Sequence, residues 1–254
     1  MYETLLVESQ NNRITITLNR IEQQNAISST LLTELNQALD NAEQHPHCQI
    51  IILKGQQGVF CCGMDLNEYV QLAKSQETMR AWATLYMHTL KRLSTSPKII
   101  VVAIDGKVMA GGVGFVAASD FVIATDNTSF KLSEALWGLI PGMVAPYLIR
   151  KVGFQPAYSL ALTTRTITAK EAHNIHLVDV ISERVGEELD SFLQRMQRVK
   201  GVTVKELKSY FRKLSIDNAT ELLAIEETVQ RMLDPEVRES IRNYVENKKL
   251  PWDK

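Results

Sequence analysis

Glu134 is the side chain of this 254-residue sequence best placed for acid–base chemistry. It lies in Phe130-Lys131-Leu132-Ser133-Glu134-Ala135-Leu136-Trp137-Gly138-Leu139-Ile140-Pro141-Gly142, one acid among mostly apolar neighbours. A carboxyl in such surroundings is costly as an anion and holds a proton more readily than a surface acid. Upstream runs Ile104-Asp105-Gly106-Lys107-Val108-Met109-Ala110-Gly111-Gly112-Val113-Gly114-Phe115. Its glycines let another group approach the backbone closely, because no Cβ stands in the way. A helix is expected to open at about Gly112, and the N–H groups of a helix start have no intrahelical acceptors. A second glycine turn lies in Phe60-Cys61-Cys62-Gly63-Met64-Asp65-Leu66. Fixed main-chain donors together with one shielded base would suit a reaction that develops negative charge.

Other reactive types read more simply. Asp65 is suited to cap a helix rather than act as a base. His88 reads as a packed or exposed histidine on a helix, though it could line a pocket. His45, His47 and Cys48 are metal-ligating types, but Pro46 interrupts them and no fourth ligand is near, so they read as a loop. Cys61 and Cys62 read as packing, and Trp137 as core or pocket wall. Lys248 and Lys249 are a solvated run or part of a phosphate-binding surface.

The composition narrows the partners. A net charge of −1 offers no field for nucleic acid or an acidic membrane. A hydrophobic fraction of 45% supports a sizeable core. Three cysteines, two of them adjacent, fit a reducing compartment better than a disulfide framework. There is no apolar run of membrane-spanning length, and the opening residues lack a basic segment followed by an apolar one. A cytoplasmic protein without nucleic-acid or membrane partners is expected.

Particular elements must position these residues. Leu5–Glu8 and Arg13–Leu18, split by Gln10-Asn11-Asn12, predict a half-buried hairpin. Ser28 or Ser29 would cap a helix whose apolar face is Leu31, Leu32, Leu35, Ala38 and Leu39. Gln49–Leu53, Ile99–Ile104 and Phe121–Ala124 read as strands covered on both faces. Val59-Phe60 and Ser129–Leu132 are shorter strands, and a helix is expected over Thr78–Ser94. Strand–helix alternation to residue 125 indicates an α/β class. Beyond Gly142 come helices over Ala145–Val152, Gln155–Thr163, Ala169–Asn174, Gly186–Lys200 and Asn218–Met232, with a short strand at Val178–Ile181. Asp234-Pro235 begins a further element.

These segments together resemble the enoyl-CoA hydratase/isomerase, or crotonase, superfamily. Leu18-Asn19-Arg20 and Asn25-Ala26-Ile27 are similar to its early motif. Phe60–Leu66 is similar to its first oxyanion segment. Ala103–Gly106, Ala110-Gly111-Gly112 and Ala118-Ser119-Asp120 are similar to its second. Ser133-Glu134 with Gly138–Gly142 is similar to its acidic segment. The resemblance implies a spiral of ββα units over residues 1–190 and a helical trimerisation region over 191–254. It implies a homotrimer or dimer of trimers, a thioester substrate, and no metal or redox cofactor. The main-chain N–H groups of Met64 and Gly111 would form an oxyanion hole for the thioester enolate. Losing one such donor typically costs about 2.7–4 kcal/mol.

One position departs from the family pattern. Hydratases of this family carry two glutamates; the second falls at Glu134, but the first falls at Gly114. A single carboxylate could still perform a syn elimination, taking the α-proton and returning it to the departing β-hydroxyl. Phe115–Ala118, Ser129–Gly142 and Asn243–Trp252 further resemble the dehydratases of polyketide β-branching cassettes. That resemblance implies dehydration of a 3-hydroxy-3-methylglutaryl group on an acyl carrier protein. A hydratase or isomerase of free coenzyme A esters, the partner decarboxylase of the same cassette, and a non-catalytic trimeric scaffold are the alternatives. The distal carboxylate of a glutaryl group would need a cation or several donors, and Lys74, Arg80, Lys91, Arg92 and Lys131 are candidates.

Overall fold

The hydrophobic pattern of the buried strands dictates a sheet with helices on both faces. In the computed structural model, which describes residues 2–10, 12–196, 198–213 and 218–253, that sheet has six strands. They are β1 (Leu5–Gln10), β2 (Arg13–Leu18), β3 (Ile50–Lys54), β5 (Ile99–Ile104), β7 (Phe121–Ala124) and β10 (Val180–Ile181), side by side in that order. The β1–β2 pair is antiparallel and every other pairing is parallel. Gln10 pairs with Arg13, which sets a tight hairpin; Asn11 of the expected turn lies outside the described residues.

A second sheet takes the intervening strands. It orders β4 (Val59–Cys61), β6 (Lys107–Met109), β8 (Ser129–Lys131) and β9 (Ile167–Thr168). Each turn of chain therefore gives one strand to each sheet, as in β3–β4, β5–β6 and β7–β8, which is a spiral of repeating units. The sequence reading passed over β6 and β9. Both are too short to show a period of two, and their pairing with neighbouring strands is what makes them strands.

Alternation along the strands separates two cores. Ile51 and Leu53 of β3, Ile100, Val102 and Ile104 of β5, and Val122 of β7 face the larger one. It also takes Leu31, Leu32 and Leu35 of α1 (Ser29–Gln44) and Trp82, Tyr86 and Leu90 of α3 (Gln76–Thr95). Ile50, Ile52, Ile99, Val101 and Ile123 face the smaller core, covered by Phe192 and Leu193 of α8 (Val185–Met196). Ser28 caps α1 by accepting from Leu31 N–H at 3.1 Å, while Ser29 instead binds Glu68.

The remaining helices complete the molecule. They are α2 (Leu66–Leu72), α4 (Gly111–Ala118), α5 (Ala145–Val152), α6 (Phe154–Thr163), α7 (Ala169–Asn174), α9 (Gly201–Lys213), α10 (Asn218–Met232) and α11 (Pro235–Asn247). The expected helix over Gly186–Lys200 ends at Met196, and α9 was not anticipated. Its sequence is rich in lysine, with Val204 packing on the smaller core and Lys208 paired with Asp120 at 2.6 Å. Helix α10 packs on α3, and α11 on α2, within the same chain. No described helix is long and apolar enough to cross a membrane.

Two glycines test how tightly the spiral is wound. Gly106 has φ +109°, and a Cβ there would stand 1.8 Å from the Gly58 carbonyl oxygen of the preceding turn. Gly153 has φ +84° but open space around it. Gly153→Ala should cost about 1 kcal/mol from backbone strain alone, and Gly106→Ala well over about 2 kcal/mol. Equal midpoints for the two variants in urea unfolding would contradict this packing.

Candidate active site

The segment from Leu18 to Ile27 is held by a side chain that can enter the left-handed region. Asn25, at φ +54°, accepts from Arg20 N–H at 2.9 Å and donates to the Val59 carbonyl at 3.1 Å. This brings Ile27 alongside the Gly63 turn. Ile27 N–H donates to Gly63 O at 2.7 Å, and Asp65 N–H donates to Ile27 O at 3.0 Å. The two bonds flank Met64, which forms a parallel bridge with Ile27. In such a bridge the N–H of the middle residue points to the side opposite its partner. Asp65 caps α2, accepting from Asn67 and Glu68 N–H groups, and pairs with Arg20 at 2.9 Å. It is thus committed to structure.

The second segment arrives from the other side. Ala110 N–H donates to Lys131 O at 2.9 Å, and Ala110 adopts φ +46°, ψ −123°. A non-glycine residue there is strained, commonly by roughly 1–3 kcal/mol. The distortion starts α4 at Gly111, whose N–H has no acceptor within the helix. A Cβ on Gly63 would fall 2.7 Å from Ala110 Cβ and 3.4 Å from Gly111 N, so the two segments are in contact. Gly112 cannot carry a side chain either, since its Cβ would meet Cys61 O at 2.7 Å.

Glu134 begins a single 3₁₀ turn, Glu134–Trp137, that ends at Gly138 with φ +73°. Arg231 of α10 clamps this turn, its guanidinium donating to the Gly138 carbonyl at 2.6 and 3.0 Å. The residue as a whole is only half-buried, but its Oε2 is sealed from bulk water and has no hydrogen-bond partner. Burial pushes the Glu134 carboxyl up from 4.5 to about 7, with nearby main-chain N–H groups of Glu134 and Ser133 partly opposing it.

Met64, Gly111 and Glu134 line one cavity of about 680 Å³, together with Trp82, Tyr86, Trp137 and Thr228. Trp137 is a wall of this cavity, set edge-on to Tyr244 at 5.2 Å. The candidates named for a distal carboxylate do not reach it. Arg80 pairs with Glu226, Lys91 with Glu221 at 2.6 Å, and Arg92 with Asp40 and Glu43. Lys74 binds Gln71, and Lys131 is off the cavity wall. Arg80, Lys91 and Arg92 fail because α3 turns its polar face, which carries them, away from the pocket its apolar face lines. Lys248 is the cation among the described lining residues, exposed and lying over the Tyr244 ring at 5.5 Å.

His88 is exposed and Cys61 is buried with its thiol pushed up by desolvation. Cys48 points inward to the Ile50 carbonyl, away from any shared site with His45 and His47. Among the described residues, no three His, Cys, Asp or Glu side chains cluster as a metal site.

A family model for enoyl-CoA hydratase/isomerase matches residues 8–254. The chain belongs to that family. Among curated proteins it is 34% identical to the bacillaene synthase dehydratase PksH of Bacillus subtilis, over 99% of this chain and 97% of that one. It is 31% identical to the enoyl-CoA hydratase EchA19 of Mycobacterium tuberculosis, over 68% and 66% respectively. Among solved structures, the polyketide biosynthesis enoyl-CoA hydratase PksH of Bacillus subtilis superposes with a TM-score of 0.88 at 33% identity, covering 99% of this chain and 100% of that one. The protein has the crotonase fold and is a hydro-lyase of the enoyl-CoA hydratase/isomerase family, of hydratase or dehydratase type.

Tyr86 is a lining residue for which the sequence carries no signal. Its hydroxyl donates to the Gly111 carbonyl at 2.6 Å. It also occupies the space beside Gly114, where a Cβ would sit 2.2 Å from Tyr86 Oη. The position of the family's first glutamate is therefore filled by a buried phenol that reaches over from α3. Desolvation drives the Tyr86 hydroxyl well above its usual range, so it stays neutral. Gly114→Ala should destabilise the protein by about 2 kcal/mol or more, and much less in a Tyr86→Phe background. A double-mutant cycle in urea checks this; strict additivity would mean that the phenol does not block the site.

Proposed function

We propose that this hydro-lyase dehydrates a 3-hydroxy-3-methylglutaryl group on an acyl carrier protein to the 3-methylglutaconyl group. The observation that carries the reading is the shielded carboxyl of Glu134, whose Oε2 has no partner, on the cavity lined by Met64 and Gly111, with no room for a second at Gly114. The buried acid Asp65 on the same wall is held by Arg20. The likeness to the bacillaene synthase dehydratase over nearly the full length of both chains supports the same direction of reaction.

In this reading the thioester oxygen lies against the N–H groups of Met64 and Gly111. The Glu134 carboxylate takes the proton from the α-carbon, and the electron pair passes into the enolate. As the pair returns, the carbon–carbon double bond forms and the bond to the β-oxygen breaks. The same proton moves from Glu134 to the departing hydroxide and leaves as water, restoring the carboxylate. A tertiary hydroxyl departs more readily than a secondary one, so one acid serves both transfers. Decarboxylation needs no α-proton base, so retention of Glu134 favours loss of water over loss of carbon dioxide.

The substrate is presented on a phosphopantetheine arm, and the chain itself contributes no cofactor. Exposed Phe154, Tyr158 and Leu162 on α6 support a homo-oligomer, read as a trimer or dimer of trimers. Three free thiols accord with a reducing cytoplasm.

Incubation with the hydroxymethylglutaryl carrier should lower its mass by one water. Loss of carbon dioxide from the 3-methylglutaconyl carrier, with no loss of water from the hydroxymethylglutaryl carrier, would make this chain the partner decarboxylase, and faster turnover of the free coenzyme A ester would make it a coenzyme A enzyme. Glu134→Gln should lower the rate by about 10²-fold or more, whereas a scaffold has no rate to lose.

The pH dependence follows from the sign of the shift. Only the ionised carboxyl is a base, and burial places its ionisation at about 7. kcat/KM should therefore fall about tenfold per pH unit below that point. A profile flat from about pH 5 to 8 would remove Glu134 from the proton transfer.

A further inference from the structure

Two further polar atoms, sealed from solvent and without partners, belong to residues that line the same cavity. They are the indole Nε1 of Trp82 on α3 and the hydroxyl Oγ1 of Thr228 on α10. Both side chains are buried, each at 4% exposure. The Trp82 ring is fixed by stacking on Tyr86 at 5.6 Å and 16°. Thr228 is fixed against the main chain of Gly142, where an added Cβ would come within 2.4 Å of the hydroxyl. An indole N–H can only donate, so whatever meets Trp82 must be an acceptor. A desolvated donor left unpaired is unfavourable, and two on packed neighbouring helices indicate an occupant with more than one acceptor atom.

We propose that Trp82 Nε1 and Thr228 Oγ1 receive the far carboxylate of a dicarboxylic acyl thioester. The assignment deepens the dehydratase reading and rests on it for the choice of acyl group. A subsite of neutral donors has a chemical consequence. A lysine or arginine inside this cavity would pair with Glu134 and draw its ionisation down, weakening it as a base. Neutral donors hold a carboxylate without doing so. The cation that lines the cavity among the described residues, Lys248, is exposed and sits by Tyr244. Tyr86 is no competitor for the same role, because its proton is committed to the Gly111 carbonyl.

The test uses binding, so that it does not depend on turnover. Dissociation constants are measured by calorimetry for 3-methylglutaryl-CoA and 3-methylbutyryl-CoA, which differ in the far carboxylate and lack the leaving hydroxyl. Wild-type protein should prefer the glutaryl ester by about tenfold or more. Trp82→Phe keeps the ring stack and Thr228→Val keeps the volume, and each should lose most of that preference while binding the butyryl ester within about twofold of wild type. No preference in the wild-type protein, or a preference retained in both variants, overturns the subsite. An equal loss for both esters overturns it too, by reducing the two residues to packing. Should one variant fail to fold, the other decides, since they lie on different helices. A wild-type preference for the glutaryl ester that both variants lose, alongside no loss of water from the hydroxymethylglutaryl carrier, would sink the dehydration reading alone.

Discussion

The contact between the Gly63 turn and the start of α4 is the constraint on which the rest of the molecule depends. Two stretches from successive turns of the spiral pass so closely that neither Gly63 nor Gly112 can carry a side chain. Ala110, between them, is forced to φ +46°. Strain of this kind persists only where surrounding structure over-determines it. Here the surroundings are the Ala110–Lys131 hydrogen bond on one side and the Ile27–Met64 bridge on the other. In the proposed reaction this contact is what would present the main-chain N–H groups of Met64 and Gly111 to the thioester oxygen. Glycine supplies the close approach, and the unfinished first turn of a helix supplies the donors.

The cavity is assembled from distant parts of the chain. Helix α3 brings Trp82 and Tyr86, the 3₁₀ turn brings Glu134, and α10 and α11 bring Thr228, Met232, Ile241 and Tyr244. Arg231 joins the last group to the acid by binding the Gly138 carbonyl. The C-terminal helices therefore do more than cover a core. They close the side of the cavity that would otherwise leave Glu134 in water, and a carboxyl in water has no reason to be a base near neutrality.

Much of this was legible in the sequence, for identifiable reasons. Continuous apolar strands such as Ile99–Ile104 announce a sheet covered on both faces, and the alternation of β3 and β5 between two cores is what that pattern means. Gly63, Gly111, Gly112 and Glu134 stood out by residue type. What stayed hidden depends on partners far along the chain. Strand β6 is three residues long and exists because β4 and β8 flank it. Helix α9 was missed although Val204, Leu207 and Phe211 recur at helical spacing, because lysines stand between them. The role of Tyr86 at Gly114 joins residues from two helices, and no local pattern encodes that pairing. The cations on α3 misled for a related reason: their rough location along the chain placed them near the site, whereas their ion pairs hold them on the outer face of the helix.

The burial of Glu134 also carries a thermodynamic burden, whose sign is instructive. The folded chain holds this proton at about 7 against an ordinary 4.5, so between those values it binds more protons than the unfolded chain. Stability must then fall as pH rises through that interval. The burden is absent below about 4.5 and complete above about 7, where it amounts to the order of 3 kcal/mol. A structural acid would be paired or exposed to avoid it. Glu134 Oε2 is neither, although Arg231 and Arg238 lie on the two helices that close this side of the molecule. Arg231 is spent on the Gly138 carbonyl and on Asp234 instead. A fold that places a cation next to its acidic turn and aims it at the main chain keeps that carboxyl basic at a cost in stability, which accords with a group retained for its affinity for a proton.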